Sequence, residues 1–358
     1  MQIDRLELTN FRNIPQLELT LSPRLNVLVG ANAQGKTNLL EALHYLSTTR
    51  SFRGSRDGDI VSFGAPFSRI AGGEVEITLQ TGEKRLRLRG KDARAAEVLG
   101  ELRSVLFSPE DMSLLSGPPQ DRRDYLDELI SRIDRKYLLT LLSYHKTLKQ
   151  RNRLLWQVRE RGQGRDELDS WDKLLVRDGV PILSRRLEIA GHLQTAVDEI
   201  SPSLFNGENI RLNYQSKLPT EAPLEAVFME ELVNIREREI GAATSLLGPH
   251  RDDFEVTLRD RDLGRFGSRG EQRAAILALK LAEVNLDLAE TGERPILLLD
   301  DVMSEFDPEH QARLLKEVGK QQTIISATTL SIFPPETVGQ AKTFRVASGR
   351  VTEDHPGV

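Results

Sequence analysis

The chain of 358 residues is 39% hydrophobic and 29% charged, has no cysteine, and sets 49 Lys+Arg against 54 Asp+Glu for a net charge of −5. The missing thiols exclude disulfides, cysteine-ligated zinc and thiol catalysis, and they suit a reducing compartment. The negative balance excludes a histone-like DNA coat and leaves nucleic-acid binding to basic residues grouped on one surface.

In chain order, the first hundred residues read as β with one strong helix. Residues 1–8 are charged and alternating, unlike a signal peptide, and Ile3, Leu6 and Leu8 suit an opening strand. Residues 25–29 form a short apolar strand, followed by a helix from Lys36 to about Ser47 with Leu39, Leu40, Leu43 and Leu46 at helical spacing. Residues 74–79 and 85–89 alternate with period two around Thr81-Gly82, which predicts an antiparallel pair with one wet face. After Pro118-Pro119 the texture turns helical as far as about Ile200, with breaks or kinks expected at residues 162–164 and 179–181. A further helix is predicted over residues 224–240, and β texture returns at 253–258.

The C-terminal part alternates again: helix 270–290, buried strand 295–300, helix 308–318, then strands 323–326 and 342–346. This order predicts one α/β head assembled from both termini, residues 1–115 plus 246–358, with a mainly helical arm, 116–245, inserted in it. No apolar run approaches bilayer-spanning length, so a cytoplasmic location and no membrane partner are expected.

Gly30-Ala31-Asn32-Ala33-Gln34-Gly35-Lys36-Thr37 matches the phosphate-loop pattern, with an apolar strand before it and a helix after it. The glycines let successive amides turn inward toward phosphate oxygens, and the helix start adds its positive end. Lys36 has the reach for the outer phosphates, and the Thr37 hydroxyl suits Mg²⁺. Residues 296–301 form an apolar strand ending in Asp300-Asp301, where the first carboxylate would hold Mg²⁺ and the second an attacking water. Upstream, Ser268-Arg269-Gly270 opens a helix, a turn whose free amides also suit an anion.

The order matters more than any single motif. The Ser-x-Gly helix, the Asp-Asp strand, Ser304 to Asp307 and then Ser326 to Thr329 follow one another. This series resembles the SMC-like branch of the ABC ATPases, and within it the RecF family of bacterial recombination proteins. Residues 8–13, 50–53, 107–111, 117–123 and 248–253 carry further matching stretches.

The resemblance implies an α/β, ABC-type phosphate-loop ATPase head with an inserted helical arm. It implies ATP and Mg²⁺ as cofactors, with residues 30–37 on the phosphates, Thr37 and Asp300 on Mg²⁺, and Asp301 orienting the attacking water. Arg12 and Arg53 match arginines close to nucleotide. Ser268 and Gly270 are expected to act in trans, on ATP held by a second subunit, so that ATP joins two copies into a homodimer. Asp301 stands where most ABC ATPases carry Glu, which suggests slow, DNA-stimulated hydrolysis. Thr328 and Thr329 stand where transport ATPases often carry His. Glu110 or Asp111 lies near the glutamine-loop position. By the same resemblance, the chain would act in recombinational repair of gaps and stalled forks and help load a recombinase with RecO and RecR.

For DNA itself, residues 132–153 hold seven Lys/Arg (132, 135, 136, 146, 149, 151 and 153) against one acid, Asp134. Lys146, Lys149 and Arg153 share one helical face, and with Arg132 they are the expected phosphate contacts. Arg56, Arg122 and Arg123 would extend that surface. Base-reading motifs are missing from the pattern, so single- or double-stranded DNA would be held mostly by its backbone. His250, a lone imidazole, reads as structural. Two other readings use the same loop. A transporter ATPase would need a membrane partner and usually a distal His; a phosphate-loop kinase would leave the Ser-x-Gly and Asp-Asp order unexplained.

Overall fold

The computed structural model describes residues 1–80, 82–219 and 223–354. The chain divides into two compact units. One comprises residues 1–113, 196–209 and 267–358, and the other residues 114–195 and 210–266.

The first unit holds two six-stranded sheets. Strands β1 (Arg5–Phe11), β2 (Ile14–Thr20), β4 (Phe67–Gly72), β5 (Val75–Gln80), β6 (Glu83–Leu88) and β7 (Lys91–Ala93) pair antiparallel in the order 2-1-4-5-6-7. Their buried and exposed residues alternate, so one face packs and the other is wet. The expected β5–β6 pair is present, from Val75 opposite Leu88 to Gln80 opposite Glu83. Of the predicted turn, Gly82 has φ +77°, and Thr81 lies outside the described residues.

The second sheet is built from β3 (Leu25–Val29), β8 (Ser104–Phe107), β12 (Ile296–Leu299), β13 (Thr323–Ala327), β14 (Lys342–Ala347) and β15 (Arg350–Asp354), in the order 15-14-3-13-12-8. All its pairs are parallel except β14–β15. Residues 25–29, 296–299 and 323–327 are buried throughout, as strands covered on both faces must be. Leu28, Leu298 and Ile324 join a core that reaches the Lys36–Thr48 helix through Leu39, Leu40, Leu43 and Leu46. Each such side chain stabilises the fold by roughly 1.5–3 kcal/mol. Parallel pairing brings the C-terminal ends of β3, β8, β12 and β13 to one edge, the usual place for a ligand in an open α/β sheet.

The second unit is mainly helical, with helices Pro119–Ile133, Arg135–Arg161, Leu224–Asn234 and Arg236–Ala242 and most of Leu168–Ile200. It also holds a small sheet in which β10 (Asp253–Leu258) lies between β9 (Ile210–Gln215) and β11 (Arg261–Asp262). Because β10 pairs with β9 over six residues, 246–266 group with this unit and not with the head, where the sequence order had placed them.

Gly162 ends one helix in a left-handed conformation, as expected. Of the break or kink expected at residues 179–181, no break occurs: the Leu168–Ile200 helix runs on with Pro181 inside it. Gly179 is a packing residue, since a Cβ there would come within 2.8 Å of the Phe228 ring. Ile182 and Leu183 are fully buried, and their packing offsets the missing proline N–H. The helix predicted over 224–240 is two helices, parted at Ile235.

Candidate functional site

Three strand ends of the parallel sheet converge on a cleft of about 990 Å³. The loop after β3 supplies Asn32, Ala33, Gly35, Lys36 and Thr37, the end of β12 supplies Asp300 and Asp301, and the end of β8 supplies Glu110. Gly35 enters the helix at φ +117°, a conformation an L side chain rarely adopts. Gly30 is packed beneath, where a Cβ would lie 2.2 Å from the Val346 carbonyl oxygen. The Lys36 Nζ donates to the carbonyls of Gly30 at 2.7 Å and Ala31 at 3.0 Å, curled over its own loop. Burial lowers the Lys36 pKa against the pull of Asp301 and Asp300. Gln34 is turned away: its Oε1 accepts from the Ser348 N–H at 2.7 Å.

Asp300 is the hub of the opposite wall. Its Oδ1 accepts from the Thr37 hydroxyl at 3.1 Å and from the Ser326 hydroxyl at 2.7 Å. The Ser326 Oγ in turn accepts from the Asp301 N–H at 2.9 Å, which holds Asp301 at φ +51° against the cleft. Burial pushes the Asp300 carboxyl up, the two hydroxyls pull it down, and nearby Glu110 and Asp301 add to the rise. A hard cation would relieve that crowding. The Thr37 and Asp300 oxygens are donors of the kind Mg²⁺ takes, and the remaining ligands would be phosphate and water. Among the described residues there is no cluster of three or more His, Cys, Asp or Glu placed for a metal.

Sequence order left the glutamine-loop position open between two acids, and the structure separates them. Glu110 lines the cleft, whereas Asp111 turns away to Lys280 at 3.0 Å. Arg12 and Arg53 both line the cleft and share one buried carboxylate, Glu41. Arg12 grips Glu41 at 3.0 and 2.5 Å and also donates to the Asp59 carbonyl at 2.8 Å. Glu41 was missed in the sequence. Its position four residues after Thr37, between the buried Leu39-Leu40 and Ala42-Leu43 of that helix, was the available signal.

Ser268 and Gly270 are exposed and are not among the residues that line this cleft. Ser268 caps the Arg269–Thr291 helix in a reciprocal box with Glu271, its Oγ accepting from the Glu271 N–H at 3.2 Å. A Cβ on Gly270 would meet nothing within 4 Å, which leaves the helix start open to an approaching group. Thr328 and Thr329 are exposed and likewise outside the lining.

Of the expected DNA contacts, Lys146, Lys149 and Arg153 are exposed on the Arg135–Arg161 helix. Arg132 is only 5% exposed, so it does not belong to that surface. Arg151, counted in the same basic run, is wholly buried between Asp172 and Glu239. Arg122 is held by Asp253 at 2.6 Å, and Arg123 donates to the Asp252 carbonyl. His250 is locked between the Tyr144 hydroxyl at 2.7 Å and the Ser245 carbonyl at 3.2 Å. Among the described residues no helix is long and apolar enough to cross a membrane.

Residues 2–337 match the family model of the RecF/RecN/SMC N terminal domain. A DNA replication and repair protein RecF from Herpetosiphon aurantiacus is 38% identical over 98% of this chain and 99% of its own length. The chain belongs to the RecF family. The RecF of Ligilactobacillus salivarius is 35% identical over 99% of this chain and 98% of its own. A solved recombination mediator protein RecF with ATP, of the RecFOR pathway, superposes at a TM-score of 0.92 and 31% identity. It covers 99% of this chain and 97% of that one. The Smc head domain from Pyrococcus furiosus, at a TM-score of 0.55 and 18% identity, shares the fold. The α/β, ABC-type head with its inserted helical arm is therefore the fold of this family member.

Proposed function

We propose that this chain is an ATP-dependent, DNA-binding recombination mediator in which ATP is the glue of a homodimer. The observation that carries the reading is a half-built site. The cleft holds the phosphate loop, the Thr37–Asp300 pair and Asp301, while Ser268 and Gly270 lie exposed outside it. Lys36 and the loop amides bind the phosphates; Thr37 and Asp300 bind Mg²⁺. Asp301 orients the attacking water, and Ser268 with Gly270 of a second copy caps the γ-phosphate. ATP then stabilises the dimer because it binds that state more tightly than the separated heads. The ATP-bound RecF relative supports the nucleotide part of this reading.

Lys146, Lys149 and Arg153 contact DNA phosphates, with Trp156, 45% exposed, three residues further along the same face. Binding is therefore of low sequence preference. Each phosphate neutralised contributes about −0.9 to the slope of log affinity against log salt, or roughly −3 for three contacts. Family membership points to recombinase loading with RecO and RecR at gaps and stalled forks, to slow hydrolysis, and to a cytoplasmic setting. Light scattering with and without Mg-ATP tests the core of the reading. ATP should double the mass of the wild type and leave Lys36→Met monomeric. A protein monomeric with ATP and DNA would overturn it.

A further inference from the structure

Two phenylalanines are mostly exposed. Phe63 is fully exposed and Phe266 is 69% exposed. Phe63 is firmly held nonetheless. The Ser62 N–H donates to the Asn10 carbonyl at 2.9 Å and its hydroxyl to the Arg12 carbonyl at 2.7 Å. The Ala65 N–H closes a turn on the Ser62 carbonyl at 2.9 Å, with Gly64 at φ +77°, the value a type II turn requires at its third residue. The backbone that carries the ring is thereby fixed at the rim of the nucleotide cleft. Phe266 is separated by one residue from Ser268, so it lies within about 7 Å of the signature turn along the backbone.

Each ring thus stands beside one half of a site that a second copy completes. The cleft wall carries Arg12, Lys36, Asp59, Glu110, Asp300 and Asp301 beside a few apolar residues such as Val61 and Pro109. Phosphate and Mg²⁺ make no use of a phenyl ring, whereas the cores of protein interfaces are enriched in aromatics and depleted of charge. A second copy whose Ser268 reaches the cleft carries its Phe266 to the same rim, and two-fold symmetry repeats the contact.

We propose that Phe63 of one copy and Phe266 of a second copy pair as the apolar anchors of the ATP-closed dimer, once at each of its two sites. The inference rests on the two-head reading above. The absence of cysteine makes it directly testable, since in a Phe63→Cys/Phe266→Cys variant the introduced pair carries the only thiols. A short bismaleimide should link two such chains with Mg-ATP and not without it. Phe63→Ala and Phe266→Ala should each raise the dimer dissociation constant by roughly 100-fold, because every truncation counts twice in a symmetric interface.

In a Ser268→Arg background, which keeps the heads apart, Phe63→Ala should leave ATP affinity unchanged. A fall in that affinity would mean the ring stacks on the nucleotide, and the anchor pairing would be overturned. If light scattering shows an ATP-dependent dimer of the double-cysteine variant that does not cross-link, the pairing is refuted while the two-head reading stands. If the wild type itself stays monomeric with ATP, both fall.

Discussion

Thr37 and Asp300 meet at 3.1 Å although 263 residues separate them, the hydroxyl donating to the carboxylate. Ser326 donates to the same oxygen, so two hydroxyls from two other elements converge on one buried acid. The sheet order explains the meeting: β13 lies between β3 and β12, and its Ser326 bridges the phosphate loop's strand to the acidic strand end. The loop after β3 and the acidic end of β12 are thus joined by the protein's own hydrogen bonds.

That junction is held against its own charge. Burial raises the Asp300 pKa, so the folded state favours the protonated form. For such an acid, stability falls as pH rises from the unfolded carboxylate value through the raised folded one, and at neutral pH the full penalty is present. Asp300→Asn keeps an acceptor for both hydroxyls and removes the charge. Thermal unfolding at neutral pH without nucleotide should show the variant melting above wild type. The extra stabilisation that Mg-ATP gives the wild type should be lost. A lower melting point with an intact Mg-ATP response would contradict this.

Glu41 has no exposed surface and takes the charge of Arg12 and part of that of Arg53. Glu41→Ala leaves a guanidinium in a half-buried wall without its carboxylate. Removing one partner of a buried pair typically destabilises by about 3–5 kcal/mol. Urea unfolding of Glu41→Ala should show a loss of that order, and ATP affinity should fall because Arg12 no longer has a fixed place. A neutral outcome would remove Arg12 from the nucleotide wall.

The basic run of the long helix splits by face. Reversing Lys146, Lys149 and Arg153 to Glu should change stability by less than about 0.5 kcal/mol, as surface changes do. The same change should abolish most DNA binding and flatten its salt dependence. Arg151→Met should do the opposite, destabilising by roughly 3–5 kcal/mol through its orphaned partners Asp172 and Glu239. DNA binding unchanged in the triple reversal would remove this face from the interface.

His250 gives the helical unit an acid limit. Burial holds its pKa down to about 3, so the folded state keeps the ring neutral. The Ser245 carbonyl accepts from Nε2, which leaves Nδ1 to accept from the Tyr144 hydroxyl. Because the unfolded ring binds a proton below about pH 6.5, the contribution is complete above that value and is lost as pH falls toward 3, at about 1.4 kcal/mol per pH unit. His250→Gln should show a shallower fall in unfolding free energy between pH 6 and pH 4. Equal slopes would contradict the assignment.

The sequence carried the site's chemistry because phosphate loops and acidic strand ends are local patterns. It also carried a sign of the buried cation: Arg151 lies seven residues after Tyr144 and seven before Val158, both on the packed face of the helix. What it did not carry depends on distant pairings. The place of residues 246–266 is fixed by β9, nearly forty residues upstream in the chain. The continuity of the helix through Pro181 rests on the packing of Gly179, Ile182 and Leu183. The separation of Glu110 from Asp111 needed Lys280, which lies on the signature helix.

The most direct measurement mixes two inactive variants. Lys36→Met has a signature turn but no phosphate grip; Ser268→Arg has the grip but a blocked turn. Alone, each should stay monomeric with Mg-ATP. Mixed in equal amounts they should form an ATP-dependent heterodimer with one complete site, seen as doubled mass in light scattering. If the mixture stays monomeric while the wild type dimerises, or if Ser268→Arg dimerises by itself, the site is not shared between two copies.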